Sequence, residues 1–336
     1  MNISRRDFLK ATAAGSAMLT VSPAVDAISQ PTPTAANNPT RPTKLYKSRI
    51  VNEPTDAICK ETEEIGYDGI EVMKWNVPVA QARNFRLTAE KYNLRIHSVM
   101  RGWASFNSPD DAVRQKSIDE TATAIQTASA MGADTILLVP CRTDVKPIPD
   151  PWNFNIEFDP KTLAVKKVVK GNNAQYADYI NAQNAATEMS TAAINSLVPL
   201  AAKWGVRIAI ENVWNNLWIT PALYAAFVRR FDTPWVGAYF DMGNHTRYFR
   251  AEDYISALNS KIVRLHIKGY SVTEAKNKSG GGPGDWTAID KASIDWKSVR
   301  KALDNIGYSG YVSVEEGNYN HSEYAVILDK FFNGEL

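Results

Sequence analysis

From residue 44 onward the chain repeats one phrase: an amphipathic stretch, a turn built on Gly or Asn, then a short run rich in Val and Ile. Apolar residues recurring every three or four positions belong on one face of a helix, whereas a short continuous apolar run fits a strand covered on both sides. The turns are Ile65-Gly66-Tyr67-Asp68-Gly69, Tyr92-Asn93-Leu94, Met131-Gly132-Ala133, Trp204-Gly205-Val206 and Ile306-Gly307-Tyr308-Ser309-Gly310. Each stands where a helix ends in a left-handed residue. The runs that follow predict strands at 69–73, 95–100, 134–140, 207–212, 236–243, 262–269 and 310–317, with a weaker first strand at 44–51. Helix starts carry matching signals: Ser108 as a capping hydroxyl before Pro109, with Asp110 and Asp111 in the first turn, and Thr220-Pro221 as a second instance.

Eight strand–helix units with short connections predict an α/β fold, a closed (β/α)8 TIM barrel over residues 44–336. An open doubly wound sheet would leave two edges to cover. One connection breaks the rhythm, between the fourth strand and a long helix predicted at 176–204. Within it residues 155–169 alternate apolar and polar around Asp159-Pro160-Lys161-Thr162, the pattern of a β-hairpin insertion. Loops at strand C-terminal ends lie on the working face of such barrels. The hairpin, near Trp152, Phe154 and Phe158, therefore either roofs a pocket or serves as an edge decoration or oligomer contact. The stretch Gly280-Gly281-Gly282-Pro283-Gly284-Asp285 lacks the Lys-Ser or Lys-Thr of a nucleotide loop. It reads as a loop after the seventh strand that closes over ligand.

The first residues follow another logic. Ser4-Arg5-Arg6-Asp7-Phe8-Leu9-Lys10 precedes a small and apolar run at 11–21, then Val25-Asp26-Ala27. This order resembles the twin-arginine export signal with a signal-peptidase site, and it predicts a signal peptide at 1–27 and a periplasmic protein. Gly15, Ser16, Thr20 and Pro23 keep the apolar run short of the ~20 residues that span a bilayer, so no membrane anchor is expected after cleavage. Residues 28–43, poor in apolar side chains and rich in Pro, predict a disordered leader. Cys59 and Cys141 are the two cysteines, too few for a disulfide framework, and they read as buried free thiols. The 38 basic and 36 acidic residues are interspersed, net +2, which gives no electrostatic case for a nucleic-acid partner.

The candidate chemistry sits at strand ends. Glu211, Asp241, His266 and Glu315 each close an apolar run: Ile208-Ala209-Ile210-Glu211, Ala238-Tyr239-Phe240-Asp241, Arg264-Leu265-His266 and Ser313-Val314-Glu315. Charged groups there face a desolvation cost of several kcal/mol unless a counter-charge is present. One acid alone would read as a helix cap or an ion-pair partner. Three carboxylates and an imidazole in register instead predict one divalent metal ion, Mn²⁺ or Mg²⁺, with Co²⁺ and Zn²⁺ as further candidates.

At these residues the chain resembles the sugar phosphate isomerase/epimerase family of xylose isomerase-like barrels, over residues 54–332. Besides the strand ends, Ile65 to Glu71, Ile210-Glu211-Asn212-Val213-Trp214-Asn215 with Thr220-Pro221, Trp235 to Asn244, Arg264-Leu265-His266-Ile267-Lys268 and Gly307 to Glu315 carry the likeness. The resemblance implies that Glu211, Asp241, His266 and Glu315 bind the metal and that Glu211 and Glu315 also exchange protons with substrate. A ketose chelating the ion through its carbonyl and adjacent hydroxyl has an acidified C–H bond, and an enediolate forms when that proton leaves. Carboxylates on opposite sides of the carbon can then remove a proton from one face and return one to the other.

Glu71, His97, Asn212, Trp214, Asn215, Asn244 and Lys268 are the candidate substrate contacts. For Glu71 the rival reading is a surface salt bridge, for His97 a satisfied core residue, and for Lys268 a solvated lysine. The chain departs from the family at two places. Asn244 stands where some epimerising members have His, with His245 one step later, and Gly269 stands where many members have Asp after His-x-Lys. The expected activity is a metal-dependent isomerase or epimerase acting on a free ketose or sugar derivative. A lyase or dehydratase that eliminates from a keto-sugar, keto-glycoside or keto-inositol shares the opening step. An exported sugar-binding protein with a degenerate site is a third reading, and a multi-zinc endonuclease is disfavoured by a count of four histidines. A homo-oligomer is left open.

Overall fold

The computed structural model describes residues 43–276, 283–315 and 320–336. Eight parallel strands cross it: β1 (Leu45–Val51), β2 (Gly69–Val72), β3 (Arg95–Trp103), β4 (Thr135–Val139), β5 (Arg207–Ile210), β6 (Val236–Asp241), β7 (Ile262–Ile267) and β8 (Gly310–Val314). They pair in chain order, and β8 returns to β1 with Leu45 opposite Gly310 and Ser48 opposite Ser313. The barrel has no open edge. The covering helices are α1 (Asp56–Glu64), α2 (Val79–Lys91), α3 (Asp111–Ala130), α4 (Ala177–Trp204), α5 (Pro221–Arg229), α6 (Ala251–Leu258), α7 (Trp296–Asn305) and α8 (His321–Phe332).

Strands covered on both faces read as unbroken apolar runs, and every residue of β4, β6 and β7 is buried. The larger core lies between barrel and helices, where Ile70, Ile136, Ile208, Phe240 and Leu265 are fully buried. A smaller cluster of Leu137, Val139, Ala209, Tyr239 and Val263 lies apart from it. Turn chemistry follows the sequence: α4 ends on Gly205 at φ +64, a left-handed cap that costs glycine no Cβ clash. Thr220 caps α5 ahead of Pro221 as expected. The cap of α3 is shifted by two residues, because Asp110 accepts from the N–H groups of Ala112 and Val113 while Ser108 Oγ accepts from Asp110 N–H.

The insertion after β4 is a hairpin of Glu157–Phe158 against Val165–Lys167. Asn184 of α4 exchanges two hydrogen bonds with the Val165 backbone, at 2.7 and 3.1 Å. Arg230, just past the end of α5, donates to the Thr162 carbonyl at 3.0 Å. Helix C-termini in this barrel lie at the end away from the strand C-termini, so the hairpin runs down the outer flank. These contacts with α4 and Arg230 favour the edge decoration over the roof. After β7 the chain forms a second ribbon, Gly269–Lys276 against Pro283–Thr287; residues 280–282 of the glycine stretch lie outside the described residues. Both cysteines are buried free thiols. No helix among the described residues is long and apolar enough to cross a membrane.

Candidate metal centre and active site

Parallel pairing sets side chains of paired residues on the same side of a sheet. Asp241 is opposite His266, and His266 is opposite Ser313, so all three project from one face at one level. Glu315 lies two residues beyond Ser313 and Glu211 two beyond Ala209, which returns each to that face. One ligand atom from each of Glu211, Asp241, His266 and Glu315 falls within 4.8 Å of the others. Asp241 and His266 are fully buried, Glu211 is 3% exposed, and the Glu315 side chain is the most open at 34%.

Hydrogen bonds hold each group in its orientation. The N–H groups of Gly243 and Asn244 both donate to Asp241 Oδ1 at 2.7 Å, which leaves Oδ2 facing the centre. Asn244 Nδ2 donates to Glu211 Oε1 at 3.0 Å. Lys268 Nζ donates to Glu315 Oε2 at 2.7 Å and stands in ion-pair contact with Asp241 Oδ2 at 3.1 Å. His266 Nε2 lies 2.7 Å from Glu71 Oε2, while Nδ1 lies 3.0 Å from Glu315 Oε2 and 4.0 Å from Asp241 Oδ2.

The acids crowd one another, and their ionisation shows it. Burial and then the neighbouring Glu315 raise Glu211 well above the usual carboxylate range. Burial, with Glu315 adding and Lys268 opposing, pushes Asp241 up to about 6. Burial would raise Glu315 too, but His266 and Lys268 outweigh it and hold it well below the usual range. Burial opposes the charge on His266, yet Glu71 and Glu315 raise its pKa well above the ordinary value. Asp241 Oδ2 and His266 Nδ1, facing the centre without a hydrogen bond of their own, converge with two more carboxylates, a donor set that fits a divalent cation with oxygen-rich, single-nitrogen ligation.

The remaining expected residues fall into two groups. Lys268, Asn244 and Trp214 stand at or beside the quartet, Trp214 through an Nε1–H bond to the Asn244 carbonyl at 2.7 Å. The others are placed elsewhere. Glu71 is fully buried beneath His266 and also accepts from Tyr239 Oη at 2.7 Å and Ser98 Oγ at 3.2 Å, so no oxygen is left open for a sugar hydroxyl. His97 lies a layer lower: Ser48 and Ser313 meet Nε2 at 2.7 and 3.2 Å, and Arg264 donates to Nδ1 at 3.2 Å. Asn215 bonds the Cys141 carbonyl and the Leu217 N–H, fastening the loop after β5. Asn212 is buried and donates to the Trp218 carbonyl. His245 is buried among Tyr224, Phe240 and Tyr254, with Nδ1 3.1 Å from the Asp241 carbonyl, which braces that segment from behind.

Sequence reading missed Tyr239 and Trp286. Tyr239 was findable, since it precedes Asp241 by two residues and so shares its face. Trp286 carries no such signal, because the ribbon that delivers it lies outside the strand rhythm of the barrel.

Residues 59–329 match the Xylose isomerase-like TIM barrel family, and residues 2–22 match the TAT (twin-arginine translocation) pathway signal sequence. The chain belongs to the xylose isomerase-like TIM barrel family. An uncharacterised protein of Methanocaldococcus jannaschii is 26% identical over 129 residues, which span 37% of this chain and 42% of that relative. Among solved structures, a D-tagatose 3-epimerase-like protein superposes with TM-score 0.64 at 16% identity, covering 86% of this chain and 98% of the other. A 3-keto-D-glucoside 4-epimerase from E. coli gives 0.59 at 12% identity, covering 87% and 100%. A D-allulose 3-epimerase from Methylomonas sp. gives 0.61 at 16% identity, covering 88% and 99%. At these identities the superpositions establish the shared barrel. The match at residues 2–22 marks the protein for export.

Proposed function

We propose that this protein is a divalent-metal-dependent sugar isomerase or epimerase that moves a proton at the carbon beside a carbonyl, in the periplasm. The observation that carries the reading is the convergence of Glu211, Asp241, His266 and Glu315 within 4.8 Å, three acids and an imidazole facing one centre. These four would hold Mn²⁺ or Mg²⁺. When bound, the ion would polarise the substrate carbonyl and offset the negative charge that develops on its oxygen. Glu211 and Glu315 are the proton carriers. Asn244 orients the Glu211 carboxylate, and Lys268 orients that of Glu315. The structural neighbours, a D-tagatose 3-epimerase-like protein, a D-allulose 3-epimerase and a 3-keto-D-glucoside 4-epimerase, agree with chemistry at a carbon next to a carbonyl.

The test is metal analysis of the purified protein together with solvent deuterium incorporation across a panel of ketoses and keto-glycosides. The reading expects bound Mn²⁺ or Mg²⁺ and deuterium at a carbon adjacent to the carbonyl, with product mass otherwise conserved. Loss of water or an aglycone would assign the protein to the eliminating enzymes instead, and binding without any exchange would make it a sugar-binding protein.

Glu71 has a distinct part in this scheme. Its carboxylate accepts the Nε2–H of His266, so the neutral ring that a bound ion requires would present its lone pair on Nδ1, the nitrogen aimed at the centre. Glu71→Ala is expected to weaken Mn²⁺ binding by about 10- to 100-fold in calorimetry, with Glu71→Gln recovering part of it. Wild-type affinity in both variants would remove Glu71 from metal binding.

A further inference from the structure

The ribbon after β7 places an aromatic surface directly beside the ligand quartet. Trp286 is 43% exposed, and its ring centroid is 5.0 Å from Lys268 Nζ, the group that touches both Asp241 and Glu315. Trp214 stacks on Trp286 with centroids 5.0 Å apart and planes 19° from parallel. Tyr270 meets both rings edge-on, at 6.0 and 5.1 Å. The Arg247 guanidinium lies 4.1 Å from the Trp214 ring, and Trp214 Nε1–H is tied to the Asn244 carbonyl. Trp286 is therefore a braced plane rather than a loose side chain.

The backbone is shaped to bring it there. A Cβ on Gly269 would stand 2.1 Å from the Thr287 carbonyl oxygen and 2.5 Å from that of Ala288, so any side chain at this position would push the returning strand away. Gly284, at φ +128, would set a Cβ 2.4 Å from the Ser271 carbonyl oxygen. Gly269 and Gly284 thus let the two strands of the ribbon approach closely where Trp286 comes over Lys268.

An indole face recognises a flat apolar surface. A ring-closed sugar offers one in the C–H bonds on a face of the pyranose ring, whereas an open-chain ketose presents hydroxyls in every direction along a flexible chain. We propose that Trp286 contacts substrate and sets specificity, and that the substrate is a ring-closed keto-sugar, a pyranoside whose carbonyl is a ring carbon. This narrows the proposed function and rests on it. In the step concerned, the C–H bond beside the ring carbonyl breaks, its proton passes to one carboxylate of the Glu211–Glu315 pair, and a solvent-derived proton returns to the same carbon. No oxidant or reductant is consumed.

The test uses the Mn²⁺-loaded full chain in heavy water with methyl 3-keto-β-D-glucopyranoside, whose methyl group prevents ring opening, beside D-fructose, D-tagatose and D-psicose. The wild type is expected to incorporate deuterium into the ring-locked probe in preference to the ketohexoses. Trp286→Ala should raise KM for that probe by about tenfold with a smaller change in kcat and unaltered Mn²⁺ affinity, and Trp286→Phe should restore most of the loss. Exchange confined to the ketohexoses, or an unchanged KM in Trp286→Ala, overturns the inference while leaving the proton-transfer reading in place. Exchange into neither class overturns both.

Discussion

Glu211→Gln and Glu315→Gln are each expected to lower solvent-proton exchange by about 10²- to 10⁴-fold, the range that a positioned acid or base contributes. Glutamine keeps the size and one carbonyl oxygen of the acid, so the amide can still lean on Asn244 at position 211 or on Lys268 at position 315. It cannot take up a proton. The loss should therefore appear in kcat at saturating metal, with the circular dichroism of the wild type retained. The two positions are not equivalent before metal binds. Burial and Glu315 favour the protonated form of Glu211, while His266 and Lys268 favour the ionised form of Glu315. Opposite tendencies in two facing carboxyl groups suit an acid and a base acting on one carbon. Wild-type exchange in both variants would end their assignment as proton carriers.

The second large effect lies at the opposite end of the barrel, in Asp134. Arg264 is enclosed in the barrel and its guanidinium is paired with the Asp134 carboxylate, which Arg95 and Arg207 also approach, at 3.0 and 3.4 Å. Asp134→Ala would leave the buried Arg264 charge without its counter-ion, a change that typically costs about 3–5 kcal/mol. Denaturant unfolding should show it as a lower midpoint at unchanged slope. Burial alone would raise the Asp134 pKa, but Arg264 and Arg207 outweigh it and hold it below the usual carboxylate range. A carboxyl lowered in the folded state stabilises it above the unfolded pKa and loses that contribution as pH falls through the folded value. The gap between wild type and Asp134→Asn should accordingly be full near neutrality and narrow below about pH 4. A gap that stayed constant to pH 2 would show that the ion pair does not stabilise the fold.

The two sites are joined through the barrel interior. Arg264 precedes His266 by two residues on β7 and reaches His97, His97 meets Ser48 and Ser313, and Glu71 links Tyr239 to His266. The lower charges thus sit under the strand that carries His266, and Ser48, His97, Ser313, Tyr239 and Glu71 each have a hydrogen-bond partner within that interior.

Much of this was legible along the chain. Apolar runs of four to six residues between helical stretches define the strands, and a charged residue at the end of such a run has to lie at the barrel mouth, because the interior below would not solvate it. Glu211, Asp241, His266 and Glu315 were found that way, since one local pattern carried both the strand and its last residue. The positions of His97 and Glu71 were not legible. Ile70 pairs with Ile96 but Glu71 pairs with Ser98, so His97 is an extra residue at a register shift. Two-residue alternation, the rule by which sequence assigns faces, fails at a bulge. The side taken by the β4 hairpin and the arrival of Trp286 over Lys268 were likewise decided in three dimensions. Both depend on contacts between segments far apart in the chain, Asn184 with Val165 in one case and the Gly269 backbone with Thr287 in the other. The sequence by itself determined the eight-stranded barrel and the four groups at its mouth, because each follows from local periodicity and the cost of burying charge. Which buried groups support those four, and the placing of Trp286 beside Lys268, came only with the tertiary fold, because these follow from register and from how closely backbones approach.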